Sequence, residues 1–173
     1  MFTIHTPQSA PEASRQALTG LERNIGFIPN LAATIAASPT AIGAFVGLQT
    51  SLRGSTLTGL EREVVGIAVS RHNRCEYSLA AHSSFARAQG ADDETLAALL
   101  AGDALPEPRL EALRAFTDEL LERRGHVDAE AAGISPEQAL EVIAQVAYTT
   151  MANYSADVAR TPIDAAFAAL TRG

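Results

Sequence analysis

The stretch Glu61–His82, EREVVGIAVSRHNRCEYSLAAH, decides how this chain is read. Behind Thr58, which can cap a helix, Leu60, Val64, Ile67 and Ala68 recur at the spacing of a single apolar helix face. The pattern predicts a helix over about Thr58–Ser70. Arg71-His72-Asn73 reads as a polar interruption, and Leu79, Ala80, Phe85 and Ala86 carry a second helix over Cys75–Gln89, which Gly90 ends.

Working outward, helical patterns recur with short breaks between them. On the N-terminal side they cover Pro11–Leu21, Leu31–Ala37, and Pro39 to about Ser51 behind the cap Ser38, with Gly26, Pro29 and Asn30 forcing a turn. On the C-terminal side they cover Asp92–Leu100 and a stripe from Pro108 to Gly125 through Leu110, Leu113, Phe116, Leu120 and Leu121. Next, behind Ser135 and Pro136, comes a helix from 137 to about 148 or beyond. Two further segments lie at Asn153–Arg160 and Ile163–Leu170. Alanine, the best helix former, supplies 34 of the 173 residues, and no stretch alternates as a strand does. The expectation is one all-α domain over residues 1–173, with about eight helices and short connections.

Composition excludes several classes of function. Thirteen basic residues against 20 acidic ones give a formal charge of -7, so nothing draws the chain to nucleic acid or to an anionic membrane. Met1–Ala10, MFTIHTPQSA, has neither the basic nor the apolar region of a secretory signal, and no apolar run reaches a membrane-spanning length. The one cysteine, Cys75, cannot form an internal disulfide. A soluble cytoplasmic protein is expected. Helices apolar on more than one side, notably Leu31–Val46 and Ile163–Leu170, call for a central core position or a partner chain.

The reactive side chains gather in the deciding stretch: Glu63, His72, Cys75, Glu76, Tyr77, Ser78 and His82. Ser78 and His82 stand four apart, where helical side chains meet, and Cys75 lies one turn before Ser78. At a helix start, orphan amides and the dipole lower a thiol's pKa. Glu63 can reach His82 only if its helix packs antiparallel to the next, and the result would be a relay of carboxylate, imidazole and hydroxyl or thiol. The alternative for each group is structural: a buried small cysteine, a hydrogen-bonded core histidine, a salt-bridged glutamate, and Tyr77 as core or interface anchor. The four histidines show no zinc spacing and the glycines no phosphate-loop pattern, so neither a metal nor a cofactor is expected.

This motif resembles that of the carboxymuconolactone decarboxylase and AhpD-like alkylhydroperoxidase superfamily, in which a glutamate is followed by a CxxC pair and a histidine. Gly26-Phe27-Ile28-Pro29-Asn30 and Met151-Ala152-Asn153-Tyr154 look like segments of its peroxidase-related branch. The resemblance implies an AhpD-like helical bundle that assembles as a homo-oligomer, a dimer, trimer or hexamer, acting on a small-molecule substrate. It matches the family's glutamate to Glu63, first cysteine to Cys75, intervening tyrosine to Tyr77 and histidine to His82. The second, peroxidatic cysteine falls on Ser78, whose hydroxyl can neither become a sulfenic acid nor close a disulfide with Cys75.

Three readings of Ser78 stand open. It is natural and Cys75 works alone with an external thiol reductant; or it was introduced to freeze a redox pair; or the scaffold performs non-redox acid and base chemistry as the lactone decarboxylases do. The function expected is peroxidase-type (peroxiredoxin-like) oxidoreduction through thiol chemistry, weak or altered at Ser78. The alternatives are a decarboxylase-like acid/base enzyme and a non-catalytic oligomeric binding protein.

Overall fold

A computed structural model describes residues 2–168. The described residues form nine helices and no strands: α1 (Glu12–Ile25), α2 (Asn30–Ile35), α3 (Pro39–Leu52), α4 (Gly59–Asn73), α5 (Glu76–Ala88), α6 (Asp93–Ala101), α7 (Pro108–Glu122), α8 (Pro136–Ala159) and α9 (Ala165–Ala168). The all-α architecture is as the helical periods predict. No described helix is long and apolar enough to cross a membrane.

Several boundaries differ from the sequence reading for physical reasons. Arg71-His72-Asn73 does not interrupt α4 but forms its last turn, where Arg71 pairs with Asp118 of α7 at 2.6 Å. α1 runs four residues beyond Leu21 to a left-handed Gly26. The separate segments expected around 137–148 and 153–160 are one helix, α8, because no glycine or proline interrupts them and buried Asn153 finds tertiary partners. Of the segment Ile163–Leu170, Ala165–Ala168 is helical, and its last two residues lie outside the described ones.

The caps explain where the helices begin. Thr58 and Glu61 form a reciprocal capping box on α4, and Ser135 and Gln138 form another on α8. Ser38 caps α3, and Asp92 caps α6.

α4 is the axis of the molecule. It runs antiparallel to α5 and parallel to α7, as shown by the pairs Glu61–Arg109 near the two starts and Arg71–Asp118 near the two ends. On one side an apolar cluster of Val64, Ile67, Leu99, Leu113, Phe116 and Val142 joins α4 to α6, α7 and α8. On the other, Leu18, Leu31, Ile42, Phe45, Tyr77 and Phe167 join α5 to the N-terminal helices and to α9. The reactive stretch lies where the two clusters meet.

Candidate functional site

The turn between α4 and α5 places the thiol. Arg74 adopts the left-handed conformation at φ 57°, while the amide of Cys75 donates to the carbonyl of Ser70 and the amide of Arg74 to that of Arg71. These two bonds are the Schellman closure of a helix end, made here by arginine where glycine is usual. The chain reverses within two residues, so Cys75 becomes the N-cap of α5.

That reversal packs α4 against α5 closely enough to join Glu63 and His82: Nδ1 of the imidazole lies 2.6 Å from Oε2 of the carboxylate. Gly66, one turn beyond Glu63, provides the room. A Cβ built there would lie 2.6 Å from Nδ1 and Cε1 of His82, so an alanine would push the ring out of place. With Nδ1 held by a carboxylate, Nε2 is the ring nitrogen left to exchange a proton; among the described residues it has no hydrogen-bond partner.

Cys75 is fully buried, at 0% exposure. Its Sγ donates to Oγ of Ser78 at 3.5 Å and approaches the carbonyl of Asn153 at 3.7 Å. Burial pushes the thiol's pKa up, hydrogen bonds with Ser78 oppose this, and the negative charge of Asp157 adds to the rise. The expectation of a thiol acidified by its helix start is therefore overturned: Cys75 sits at the N-cap, but desolvation dominates. Ser78 and His82 line one cavity, as their spacing predicts, although no hydrogen bond joins them.

Tyr77 anchors the core and also lines that cavity. Its hydroxyl donates to Oδ2 of Asp164 at 2.6 Å and accepts from the amide of Leu31 at 3.2 Å, with its pKa raised by burial and by the neighbouring Asp164. Asp164 also accepts from the amide of Asn30, tying the segment before α9 to the start of α2. His72 is exposed on the last turn of α4, and Glu76 is exposed on the first turn of α5.

The cavity beside Ser78 and His82 has a volume of about 50 Å³ and is walled mainly by Leu31, Phe45, Phe85, Ala152 and Phe167. That is room for roughly three or four waters, or for the reacting end of a substrate. His82 also borders a second, more polar cavity of about 310 Å³, which adjoins the first through Ile25, Gln49, Phe85 and Tyr148 and is lined further by Glu63, Arg53 and Arg62. The imidazole thus stands between a small apolar chamber and a larger polar mouth.

Sequence reasoning missed several residues here. Tyr148 of α8 stacks on Phe45 with ring centroids 4.9 Å apart and accepts from Gln49 at 3.3 Å. Its pKa is raised by burial and by the charge of Glu63. Asn153, given no role by the sequence reading, bonds to Ser70 and Asn73 and covers the sulfur with its carbonyl. None of these is near the motif in the chain, and only the polar residues spaced along one face of α8 hinted at an inward role. Among the described residues no three His, Cys, Asp or Glu side chains come together as a metal site requires.

No curated protein matches the sequence. Among solved structures, a peroxidase-related protein from Ralstonia eutropha JMP134, described as an alkylhydroperoxidase AhpD core, is similar with a TM-score of 0.86 at 22% identity, covering 99% of this chain and 96% of that one. A peroxidase-related protein from Silicibacter sp. TM1040 is similar with a TM-score of 0.80 at 19% identity, covering 99% and 94%. The debrominase Bmp8, as a cysteine-to-alanine variant in complex with 2,3,4-tribromopyrrole, is similar with a TM-score of 0.81 at 22% identity, covering 99% and 95%. At these identities the likeness is one of fold. The sequence profile of the carboxymuconolactone decarboxylase family matches residues 30–119, just over half of the chain and the whole of its reactive stretch, and the chain belongs to that family.

Proposed function

We propose that this protein is a thiol-dependent peroxide reductase of AhpD-like type that works slowly with one cysteine. The observation that carries the reading is a hydroxyl and a carboxylate-held imidazole on one small cavity with a thiol directly behind the hydroxyl: Ser78 and His82 line the cavity, Cys75 bonds to Ser78 at 3.5 Å, and His82 bonds to Glu63 at 2.6 Å. Family membership supports it.

In this reading the buried sulfur does not ionise readily by itself, and its proton passes to the hydroxyl of Ser78 and on to His82 Nε2 through the hydroperoxide or a water in the cavity that both residues line. The thiolate attacks a hydroperoxide ROOH. The O–O bond breaks, an S–O bond forms, and His82 returns the proton to the departing alkoxide, giving ROH and a sulfenic acid on Cys75. An external dithiol condenses with the sulfenic acid and releases water. Its second thiol then frees Cys75 and leaves as the disulfide, so the dithiol is oxidised by the two electrons that the peroxide gained. Glu63 stabilises the protonated imidazole in between. A reducing intracellular setting belongs to this reading, since it supplies the external thiol.

The test is consumption of an alkyl hydroperoxide with a dithiol reductant. Slow turnover is expected in the wild type, none in Cys75→Ala, and at least about tenfold more in Ser78→Cys, which puts a sulfur at the cavity wall. Turnover that survives Cys75→Ala would overturn the proposal.

One observation favours a second reading, non-redox proton transfer beside a carbonyl: the thiol is buried and its pKa raised, while the Glu63–His82 pair faces the cavities. Peroxide inertness of every variant, together with His82-dependent deuterium exchange into a lactone or keto acid, would select it.

A further inference from the structure

The polar cavity outside His82 is lined by two arginines, Arg53 and Arg62, and by one carboxylate, Glu63, which His82 already holds at 2.6 Å. On a chain of net charge -7, that leaves a local excess of positive charge at the entrance to the site. All thirteen basic residues of the chain are arginines. Among the described residues Arg71, Arg87, Arg109, Arg114 and Arg123 pair with carboxylates, and the two at the mouth do not. Arg62 donates to the carbonyl of Leu57 at 2.6 Å, which fixes its guanidinium near the start of α4. Arg53, the exposed C-cap of α3, makes no ion pair or side-chain hydrogen bond among the described residues.

The neck between this cavity and the apolar chamber adds a directional donor. Tyr148 and Gln49 line both spaces. The Gln49 amide donates to the phenol oxygen at 3.3 Å, which leaves the phenol's own O–H without an acceptor among the described residues. Burial and the charge of Glu63 keep that O–H protonated, and Arg53 is near enough to pull in the opposite direction. A guanidinium and an O–H without partners on one cavity suit an oxyanion. A carboxylate accepts from arginine's fork and from a hydroxyl, whereas a cation or a purely apolar molecule would leave both unsatisfied. Beyond the neck the chamber is walled by Leu31, Phe45, Phe85 and Phe167, so the remainder of the ligand is short and apolar. The geometry points to a carboxylate site at the mouth, where Arg53 recognises the charge and Tyr148 donates a hydrogen bond, taking an organic acid whose apolar end enters the chamber. Assigning that acid as the hydroperoxide substrate rests on the thiol reading above: the carboxylate stays at the mouth while the O–O bond lies beside Ser78. The site itself stands without that reading.

Calorimetric titration of the full chain with butyrate tests the site without any peroxide. A dissociation constant of about 1 mM is expected, weakened at least about tenfold by Arg53→Gln and restored in part by Arg53→Lys, which keeps the charge but loses the fork. Tyr148→Phe keeps the ring against Phe45 and is expected to weaken binding about three- to tenfold. Arg23→Gln, which removes an exposed arginine of α1 outside this cavity, is expected to leave butyrate binding unchanged. No heat with butyrate at about 10 mM, equal binding of n-butanol, or binding that survives Arg53→Gln would each overturn the site. Under turnover with a dithiol, a hydroperoxy acid is expected to exceed tert-butyl hydroperoxide at least about tenfold in kcat/KM, and Arg53→Gln to remove that preference. Peroxide inertness with butyrate binding intact would overturn the assignment of the acid as a hydroperoxide and leave the site standing. Peroxide turnover without butyrate binding would overturn the site and leave the thiol chemistry standing.

Discussion

The sulfur of Cys75 shows how one atom's surroundings decide its chemistry. Sitting at a helix N-cap favours a thiolate by the dipole and the free amides, yet full burial beneath α8 removes the water that would stabilise the charge, and Asp157 adds repulsion. Desolvation prevails, so the folded thiol titrates above the ordinary value of about 8.5. The sign follows: at neutral pH the thiolate fraction lies below that of a free cysteine and grows only as pH rises into the alkaline range. Alkylation of the native protein by iodoacetamide, followed by mass spectrometry, is therefore expected to be slow at pH 7 and to accelerate above about pH 8.5. A rate already at its plateau by pH 7 would show that the sulfur is neither so buried nor so weakly acidic. The spacing of Cys75, Ser78 and His82 was legible in the sequence because a helix fixes it locally. The cover over the sulfur was not, since it comes from Asn153, far along the chain, and no local pattern brings that residue back.

At the scale of elements, the site depends on a turn with an uncommon residue in it. Arg74 occupies a left-handed conformation that disfavours a side chain by about 1–2 kcal/mol, and in return α5 starts where it does. Arg74→Gly is expected to stabilise the fold by about 0.5–1 kcal/mol after the added freedom of the unfolded glycine is subtracted, read as a higher urea midpoint at unchanged slope. A lower midpoint would mean that the arginine side chain contributes more than its backbone loses. The same scale explains why most helices could be read from sequence while α8 was divided. Caps such as Thr58, Ser38 and Ser135 announce starts, and Gly26 and Gly102 announce the ends of α1 and α6. Within α8, however, Thr149, Thr150 and Asn153 have weak helix preference; Gln145 bonds Thr149 one turn away in the same helix, and the compensation at Asn153 is tertiary, through Ser70 of α4. An apolar outer stripe on α8, from Leu140 to Val158, compounded the difficulty, because apolar periodicity is read as the buried face and here marks the exposed one.

Over the whole molecule, ion pairs hold the seam between α4 and α7 at both ends, and they give stability a definite pH dependence. Burial alone would raise the pKa of Glu61, but hydrogen bonds from Thr58 and Arg109 outweigh it and hold the carboxyl below its usual value. A lowered folded pKa contributes stability that is complete above the unfolded value of about 4.3 and is lost as pH falls through the folded one. Glu61→Gln is expected to cost about 1–2 kcal/mol at pH 7, with the gap closing in acid, as thermal melts from pH 7 to about pH 3 would show. A gap independent of pH would assign the loss to packing. All-helical architecture and the contact between Glu63 and His82 could be anticipated from periodicity and resemblance, whereas the meeting of two cores, the cavity walls and the arginine-lined mouth arise only when distant helices close on one another. One of those walls comes from the far end of the chain. Phe167 on α9 packs edge-on against Phe27, Tyr77 and Phe85. During synthesis α9 emerges after the other eight helices, so the chamber beside His82 lies open to water until residue 167 has been made. A nascent chain can fold around its thiol and its imidazole well before the last wall of that chamber exists.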